Sequence, residues 1–474
     1  MLSINLAIQA ISGEKPHGDD RVIRDAVIDS RNSTPESLFI ALPGEKVNGH
    51  AYVGEAFAGG SIIALIDQEV PGGFNTIDLR NGWQAGDQVD IGESPVCLLV
   101  EDSLVAMQEI ARFWRKQLDV QVIGITGSVG KSTTKEVVAE VLNRRYKTLK
   151  SPGNLNNEIG LPLTLLKLNH EHERAVLEMG FYVPGEIDFL CDLAMPKVGV
   201  VTNIGTVHAE RAGTIDDIAR GKSELVKWLP SAPDGLAILN YDDPLVREMA
   251  NLTEAQVFSY GLTPEADLWA DQVVGLGLDG IRFRLHFRNE VIHLRVPLIG
   301  RHSVHTTLRA AAVGLNDGLS WQDIVDGLQS GKTQLRLVAV RSESGAIILD
   351  DTYNASPEST LAALNLLDDL DGKKIAVLGD MLELGQYEKQ GHELVGARVA
   401  EVVDELVTIG DRAKWIAAAA VQAGLHVDRI TDFEFSEDSI DYLRGHLNSN
   451  DVVLIKGSRG MQMEIIVAAL ETVR

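Results

Sequence analysis

A chain of 474 residues is too long for one ordinary hydrophobic core, so we expect two to four domains. Its two cysteines, Cys97 and Cys191, exclude a disulfide framework and a multi-cysteine metal site and are typical of a reducing compartment. The net charge of −25 argues against nucleic acid or an anionic membrane as a partner, since both require a basic face. Without a signal-peptide pattern or a run of ~20 apolar residues, the sequence predicts a cytoplasmic protein with no membrane span.

The first ~100 residues have the pattern of a small α/β domain. Apolar runs at 38–42 and 62–66 alternate with helical stretches, and the polar, glycine-rich stretch 72–94 predicts an extended loop or a hairpin. Ser30, Arg31 and Lys46 flank the first apolar run. Two interpretations stay open for them: they hold a phosphate or nucleotide head group, or they are solvated residues of surface turns.

The next feature is a glycine-rich loop between a predicted strand at 120–125 and a predicted helix with Val137, Val138, Val141 and Leu142 on one face. The loop reads Thr126-Gly127-Ser128-Val129-Gly130-Lys131-Ser132-Thr133. Backbone N–H groups and the Lys131 ammonium favour a phosphate, and the Ser132 hydroxyl suits Mg²⁺. The strict phosphate-loop spacing is broken, because Ile125 stands where a glycine is usual. We still favour nucleotide binding over a turn without function.

Alternating strands and helices then predict a mostly parallel sheet, whose ligands lie beyond the carboxyl ends of its strands. Glu178 follows a strand at 175–177, and Asn203 and His208 follow a strand at 198–201, so we expect all three near Lys131. The alternatives are a carboxylate that caps a turn and an ordinary loop histidine.

Further along, alternation over 280–297 predicts an antiparallel hairpin that turns at 288–290, and 306–317 predicts a packed helix. Strands at 346–349, 374–378, 405–409 and 452–455, with helices between them, predict a second doubly wound sheet. The fold class is therefore α/β with three domains: a small N-terminal α/β domain, a central phosphate-loop ATPase domain with a mostly parallel sheet, and a C-terminal Rossmann-like domain.

Several motifs together resemble the Mur ligases, ATP-dependent amide-bond enzymes of peptidoglycan assembly. They are the phosphate loop, Ser151-Pro152-Gly153-Asn154-Leu155-Asn156-Asn157-Glu158, Leu177-Glu178-Met179-Gly180 and the stretch 203–222. Three more resemble the family member that joins D-alanyl-D-alanine to UDP-N-acetylmuramoyl-tripeptide: Leu349-Asp350-Asp351-Thr352-Tyr353-Asn354-Ala355-Ser356-Pro357, Gly379-Asp380-Met381-Leu382-Glu383-Leu384-Gly385 and Lys456-Gly457-Ser458-Arg459-Gly460.

The resemblance implies a reaction through an acyl phosphate, with ATP and two Mg²⁺ ions as cofactors. Residues 1–103 would bind the UDP-sugar, 104–332 ATP and 333–474 the dipeptide. It implies catalytic roles for Lys131, Glu178, His208 and Lys222, and metal ligation by Ser132, Glu178, His208 and a carbamylated Lys222. The implied ATP-binding residues are those of 126–133 with Thr306, Arg336 and Asp351. The implied substrate-binding residues are Ser30, Arg31, Lys46, Asn154, Asn157, Tyr353, Asn354, Lys456, Ser458 and Arg459.

The sequence departs from the family at two places. Ser303 and Thr306 stand where the family usually has asparagines near the adenine, and Thr306 offers one hydroxyl in place of an amide. The family's Pro-Gly-Arg reads Gln334-Leu335-Arg336, which keeps Arg336 as the residue expected to reach the γ-phosphate.

Alternatives remain for the activity. One is a Mur-type ligase for another amino acid, a second is a phosphate-loop NTPase or small-molecule kinase without ligation, and a third is an inactive binding homologue. We expect a monomer whose partners are small-molecule substrates.

Overall fold

The computed structural model describes residues 1–16, 20–44, 47–80, 94–330 and 338–471. Its strands are β1 Asp25–Val27, β2 Ser37–Ile40, β3 Ile63–Ile66, β4 Asn75–Asp78, β5 Val96–Leu99, β6 Gln121–Thr126, β7 Thr148–Lys150, β8 Arg174–Glu178, β9 Val198–Val201, β10 Leu236–Asn240, β11 Gln256–Gly261, β12 Leu268–Gly275, β13 Ile281–Phe287, β14 Glu290–Val296, β15 Val338–Arg341, β16 Ile347–Asp350, β17 Lys373–Gly379, β18 Glu405–Ile409, β19 Ile430–Phe433 and β20 Asp451–Lys456.

Its α-helices are α1 Ile4–Ser12, α2 Val53–Ala58, α3 Ser103–Lys116, α4 Lys131–Leu142, α5 Gly160–Leu166, α6 Glu186–Ala194, α7 Ala209–Ala212, α8 Ile215–Lys222, α9 Glu224–Trp228, α10 Pro244–Glu248, α11 Ser303–Asn316, α12 Trp321–Leu328, α13 Pro357–Asp368, α14 Glu388–Val402, α15 Ala413–Gln422, α16 Asp438–His446 and α17 Glu464–Leu470. In the ranges described above, none of them combines the length and apolar character that crossing a bilayer requires.

The chain divides into two compact units. Unit 1 comprises Met1–Gly124, Tyr146–Gly180 and Gly185–Val198, and unit 2 comprises Ile125–Arg145, Phe181–Pro184 and Gly199–Arg474.

A five-stranded parallel sheet forms the N-terminal part of unit 1, in the order β1-β2-β3-β5-β4. Its inner strands β2, β3 and β5 are buried along their whole length, as expected for parallel strands covered on both faces. The two apolar runs predicted at 38–42 and 62–66 are confirmed as strands. The hairpin interpretation of 72–94 is wrong over the described residues, since β4 pairs with β5 in parallel.

The rest of unit 1 includes the helices α3, α5 and α6 and the strands β7 and β8. Asp102 caps α3 by accepting hydrogen bonds from the backbone N–H groups of Leu104 and Val105. The indole N–H of the buried Trp114 donates to the carbonyl of Leu168 at 2.9 Å. Strands β7 and β8 pair in parallel, and the buried apolar residues of β8 lead to Glu178 at its end.

In unit 2, the strands of the central sheet run in the order β9-β10-β11-β12-β13-β14. Strands β10 to β12 are parallel, and β12 to β14 are antiparallel. The predicted hairpin is confirmed, with Arg288 in the left-handed region at its turn. Helix α11 packs against α4 and carries the buried Ala310, Ala311 and Ala312, so the helix predicted at 306–317 is confirmed and begins three residues earlier.

A six-stranded sheet forms the C-terminal part of unit 2, in the order β15-β16-β20-β17-β18-β19. All its pairs are parallel except β15 with β16. The four strands predicted here are confirmed as β16, β17, β18 and β20. Their short apolar runs between amphipathic helices are typical of a doubly wound sheet. The three sheets together confirm the α/β class, whereas the boundaries 1–103, 104–332 and 333–474 stay a prediction.

Candidate active site

The glycine-rich loop joins β6 to α4. Helix α4 begins at Lys131, and Gly130 precedes it in the left-handed region at φ +85°. Gly127 has φ +142°, and a Cβ on it would lie 1.8 Å from the Thr202 Oγ1. Both positions therefore require glycine, one for its backbone conformation and the other also for the close approach of Thr202.

Residues after β9 hold this loop in place. The backbone N–H of Ser128 donates to the Asn203 carbonyl, and the N–H of Val129 donates to Asn203 Oδ1, both at 2.9 Å. The Thr202 hydroxyl donates to the carbonyl of Val129 at 2.7 Å. The predicted proximity of Asn203 to the phosphate loop is confirmed.

Lys131 lies over the loop from the first turn of α4. Its Nζ donates to the carbonyls of Gly127 at 2.8 Å and Ser128 at 3.2 Å. Ser132 and Thr133 follow it and are half-buried. A helix N-terminus beside a lysine ammonium attracts an anion, so the loop has the electrostatics of a phosphate site.

His208 lies after β9, with φ +67°, directly before α7. Its Nδ1 is 2.7 Å from Glu383 Oε2, and its ring packs at 4.6 Å against the ring of Tyr182. Burial, followed by the positive charge of Lys131, lowers the pKa of His208 to about 4, although the hydrogen bond to Glu383 opposes the shift. The ring is neutral at pH 7, so Nδ1–H donates to the carboxylate and Nε2 keeps its lone pair.

Lys222 ends α8 and is 1% exposed. Its Nζ lies 4.4 Å from the centre of the Phe181 ring. A Cβ on the preceding Gly221 would lie 2.1 Å from that ring, so glycine lets Phe181 cover the lysine. Lys222 and Lys131 both act electrostatically on His208, which brings three of the predicted catalytic residues into one region of unit 2.

Glu178 belongs to unit 1, where it is 1% exposed. Its Oε1 accepts a hydrogen bond from Asn156 Nδ2 at 2.9 Å. Of the two asparagines predicted to bind substrate, Asn157 accepts from the N–H groups of Ile159 and Gly160 at the start of α5, and Asn154 is exposed.

Two of the remaining predicted residues of unit 1, Ser30 and Arg31, precede β2 in the chain. Ser30 is buried in a short 3₁₀ turn, and Arg31 is exposed and paired with Asp29 at 2.5 Å. Lys46 lies outside the described residues, as does Arg336 of the ATP-binding prediction.

A polar cluster follows β16 and β20 in unit 2. Lys456 is 2% exposed, and its Nζ lies 2.6 Å from Asp351 Oδ2 and 2.8 Å from the Asn354 carbonyl. The Arg459 guanidinium lies 5.9 Å from the ring of Tyr353, which is 39% exposed. These contacts bring five of the predicted substrate and nucleotide residues together.

Ser458 and Thr306 complete the predicted set. The Ser458 hydroxyl accepts from the Leu382 N–H at 2.8 Å, which ties the segment after β20 to the segment after β17. Thr306 is buried on α11, and its Oγ1 accepts from Arg309 Nη2 at 2.9 Å.

Four further residues of the site were not predicted: Asn156, Phe181, Arg309 and Glu383. Asn156 belongs to the motif 151–158 and Glu383 to the motif 379–385, but spacing alone does not indicate which polar residue of a loop reaches a partner. Phe181 and Arg309 carry no sequence signal of this kind, because their roles depend on contacts between elements distant in the chain.

A mostly parallel sheet with a glycine-rich loop, a following helix and a lysine at the start of that helix defines a nucleotide-binding α/β protein. Two family models match the chain, "Mur ligase middle domain" over residues 125–314 and "Mur ligase, glutamate ligase domain" over residues 335–459. The chain belongs to the Mur ligase family. The resemblance inferred from the motifs is thereby confirmed.

Individual relatives match over nearly the whole chain. The UDP-N-acetylmuramoyl-tripeptide--D-alanyl-D-alanine ligase of Bacillus subtilis is 36% identical over 96% of this chain and 94% of that protein. A crystal structure of MurF from Acinetobacter baumannii superposes with a TM-score of 0.81 at 30% identity, covering 98% of this chain and 97% of that one. The crystal structure of MurF from Thermotoga maritima in complex with ADP superposes with a TM-score of 0.76 at 27% identity, covering 94% of this chain and 96% of that one.

Proposed function

We propose that this chain is an ATP-dependent ligase that joins D-alanyl-D-alanine to UDP-N-acetylmuramoyl-tripeptide in peptidoglycan precursor synthesis. The observation that carries the proposal is the 36% identity to a ligase of that name over 96% of the chain. The phosphate loop, His208 and Lys222 in one region of unit 2 add the chemistry that such a ligase needs.

The reaction proceeds in two transfers. A carboxylate oxygen of the tripeptide attacks the γ-phosphorus of ATP, ADP leaves and an acyl phosphate forms. The dipeptide amine then attacks the acyl carbon, the C–O bond to phosphate breaks, and the amine proton is lost to solvent or base. Phosphoryl transfer between two anions depends mainly on charge neutralisation and positioning, which are the tasks of the Lys131 ammonium and the α4 N-terminus.

The donor set suits Mg²⁺ bound together with a nucleotide. Among the described residues there is no group of three or more His, Cys, Asp or Glu side chains that would hold a metal alone. In unit 2, Ser132 and the neutral His208 are the residues that would hold Mg²⁺, with phosphate oxygens as further ligands. Glu178 of unit 1 stays a predicted ligand. When bound, the ions neutralise charge on the transferring phosphoryl group.

Carbamylation of Lys222 is part of this proposal. A lysine reacts with CO₂ as the neutral amine, and Lys222 is buried with its Nζ 4.4 Å from the centre of the Phe181 ring. The carbamate would add an anionic oxygen donor to a region that already holds the cation Lys131.

The remaining assignments complete the proposal. Residues 1–103 bind the UDP-sugar, 104–332 bind ATP with the γ-phosphate reached by Arg336, and 333–474 bind the dipeptide. The cluster of Asp351, Tyr353, Asn354, Lys456 and Arg459 lies at the carboxyl ends of β16 and β20, where doubly wound sheets place ligands. The enzyme acts in the cytoplasm as a monomer.

The test is phosphate release by the purified protein with ATP, Mg²⁺ and UDP-N-acetylmuramoyl-tripeptide. We expect release to require D-alanyl-D-alanine and to be stoichiometric with a new amide product detected by mass spectrometry. A preference for a single amino acid would indicate another Mur-type ligase. Release without any amine acceptor would indicate an NTPase or a kinase, and no turnover at all would indicate a binding homologue.

A further inference from the structure

Arg309 is a buried cation beside the phosphate loop. It lies on α11, which packs against α4, and it is 5% exposed. A Cβ built on Gly130 would lie 3.2 Å from the Arg309 Nη2, so the guanidinium flanks the residue that precedes Lys131. The arginine side chain ends in a planar, cationic guanidinium with N–H donors only.

Only part of its hydrogen-bonding capacity is used. Nη2 donates to the Thr306 hydroxyl at 2.9 Å, and Nη1 lies 3.4 Å from the Tyr260 hydroxyl. The buried Nε has no hydrogen-bond partner. A guanidinium has five N–H donors, so in the described part of the chain three of them lack an acceptor.

The charge is equally uncompensated. No carboxylate in the described ranges forms an ion pair with Arg309. The two acids that interact with the neighbouring Tyr260 are engaged elsewhere: Asp242 pairs with His305 at 2.8 Å, and Asp243 accepts from the N–H of Ile204 at 2.7 Å. Burying an unpaired charge is costly, so such a group is expected to meet an anion in the working state of the protein.

We propose that Arg309 is a phosphate-binding residue of the nucleotide site, whose guanidinium contacts the polyphosphate of ATP and ADP beside Gly130. This inference rests on the proposed use of ATP. The guanidinium, the Lys131 ammonium and the N-terminus of α4 then converge on one anion, and a planar fork of donors suits phosphate oxygens. Thr306, which accepts from Nη2, positions the guanidinium.

The experiment is isothermal titration calorimetry of the full-length protein with ADP and Mg²⁺, and separately with adenosine. Arg309→Met keeps the length of the side chain and removes its charge and donors. We expect its Kd for ADP to rise about tenfold or more, as for a lost charged hydrogen bond, with adenosine binding unchanged. The Kd of Arg309→Lys for ADP should lie between those of the wild type and Arg309→Met. Arg295→Met is the control, since Arg295 is exposed and pairs with Asp279, and it should bind ADP as the wild type does.

Thermal stability separates ligand binding from a structural role. Because the substitution removes an uncompensated buried charge, Arg309→Met without ligand should melt no lower than the wild type, while its stabilisation by ADP shrinks. The inference would be overturned if Arg309→Met bound ADP with a Kd within twofold of the wild-type value, or if it lost affinity for ADP and for adenosine equally. If Arg309→Met does not fold, Arg309→Gln, which removes the charge and keeps a polar side chain, carries the same expectation. Wild-type protein that binds ADP but forms no amide product would contradict the proposed function and leave this test intact.

Discussion

His208 Nδ1 and Glu383 Oε2 lie 2.7 Å apart, which joins the loop after β9 to the loop after β17. The two backbones meet at the same place, because the N–H of Glu210 donates to the Glu383 carbonyl at 3.2 Å. Both residues adopt left-handed conformations, at φ +67° and +63°. At neutral pH the contact is a hydrogen bond from a neutral imidazole to a carboxylate, and it aims Nε2 away from Glu383.

Glu383 is therefore expected to orient His208. Glu383→Ala should raise the Mg²⁺ concentration for half-maximal activity about tenfold or more, and Glu383→Gln, which keeps an acceptor, should have a smaller effect. Activity against Mg²⁺ concentration measures both. Glu393→Ala is the matched control, since Glu393 is half exposed on α14. An unchanged Mg²⁺ requirement in Glu383→Ala would contradict the orienting role.

Lys131→Ala should abolish ligation, because the ammonium supplies charge where negative charge develops during transfer. Losing one such contact usually lowers kcat by ~10²-fold or more. Circular dichroism should show an intact fold, since the Lys131 Nζ donates to carbonyls of its own loop, at Gly127 and Ser128. Activity within about tenfold of the wild type would rule out the role, and Lys389→Ala, at an exposed lysine, should be fully active.

Lys222→Ala should be nearly inactive and partly restored by added formate or acetate. The added carboxylate would occupy the position of the carbamate beside Phe181. Rescue is measured as activity against carboxylate concentration, with Lys227→Ala, at an exposed lysine, as the control that needs none. A crystallographic map with a bare ammonium on Lys222 beside bound metal would contradict carbamylation.

The stability of the protein should fall in mild acid because of His208. Its pKa is about 4 in the folded chain and 6.5 in the unfolded one, so between these values only the unfolded chain gains the proton. The contribution is fully present above pH 6.5 and is lost progressively towards pH 4, amounting to about 2 kcal/mol between pH 7.5 and 5. Urea unfolding at both pH values measures it. In His208→Gln this pH-dependent loss should be smaller by that amount, and an equal loss in both proteins would contradict the assignment.

Asn354→Ala should raise the KM for D-alanyl-D-alanine or lower kcat, with the KM for the tripeptide substrate little changed. The turn after β16 is closed by Asp350, whose Oδ1 accepts from the N–H and hydroxyl of Thr352 at 3.1 and 2.7 Å. The Asn354 side chain makes no hydrogen bond to the described residues, so its loss should leave the melting temperature unchanged. Asp350→Ala is the contrasting variant and should melt lower. If Asn354→Ala has the wild-type kcat and KM for the dipeptide, the Asn354 side chain is not part of the acceptor site.

Local pattern was enough to predict the α/β class, the phosphate loop, most strands and the hairpin at 281–296. Apolar periodicity and the placement of glycines are patterns among residues close together in the chain, so they can be identified without knowing the tertiary structure. Over the described residues the hairpin interpretation of 72–94 was wrong, because a polar strand such as β4 takes its parallel partner from tertiary pairing, which its own residues do not encode.

The side-chain partners were decided by the tertiary structure alone. The contacts of His208 with Glu383, Lys456 with Asp351, and Arg309 with Tyr260 span 175, 105 and 49 residues of the chain. Sequence placed each functional group at the end of a strand or on a helix, but which charge meets which acceptor depends on how the sheets and helices pack. The amino-acid sequence by itself thus determined the chemistry available to this protein, and the packing of distant elements determined which groups act together, because burial and charge compensation are properties of the assembled core.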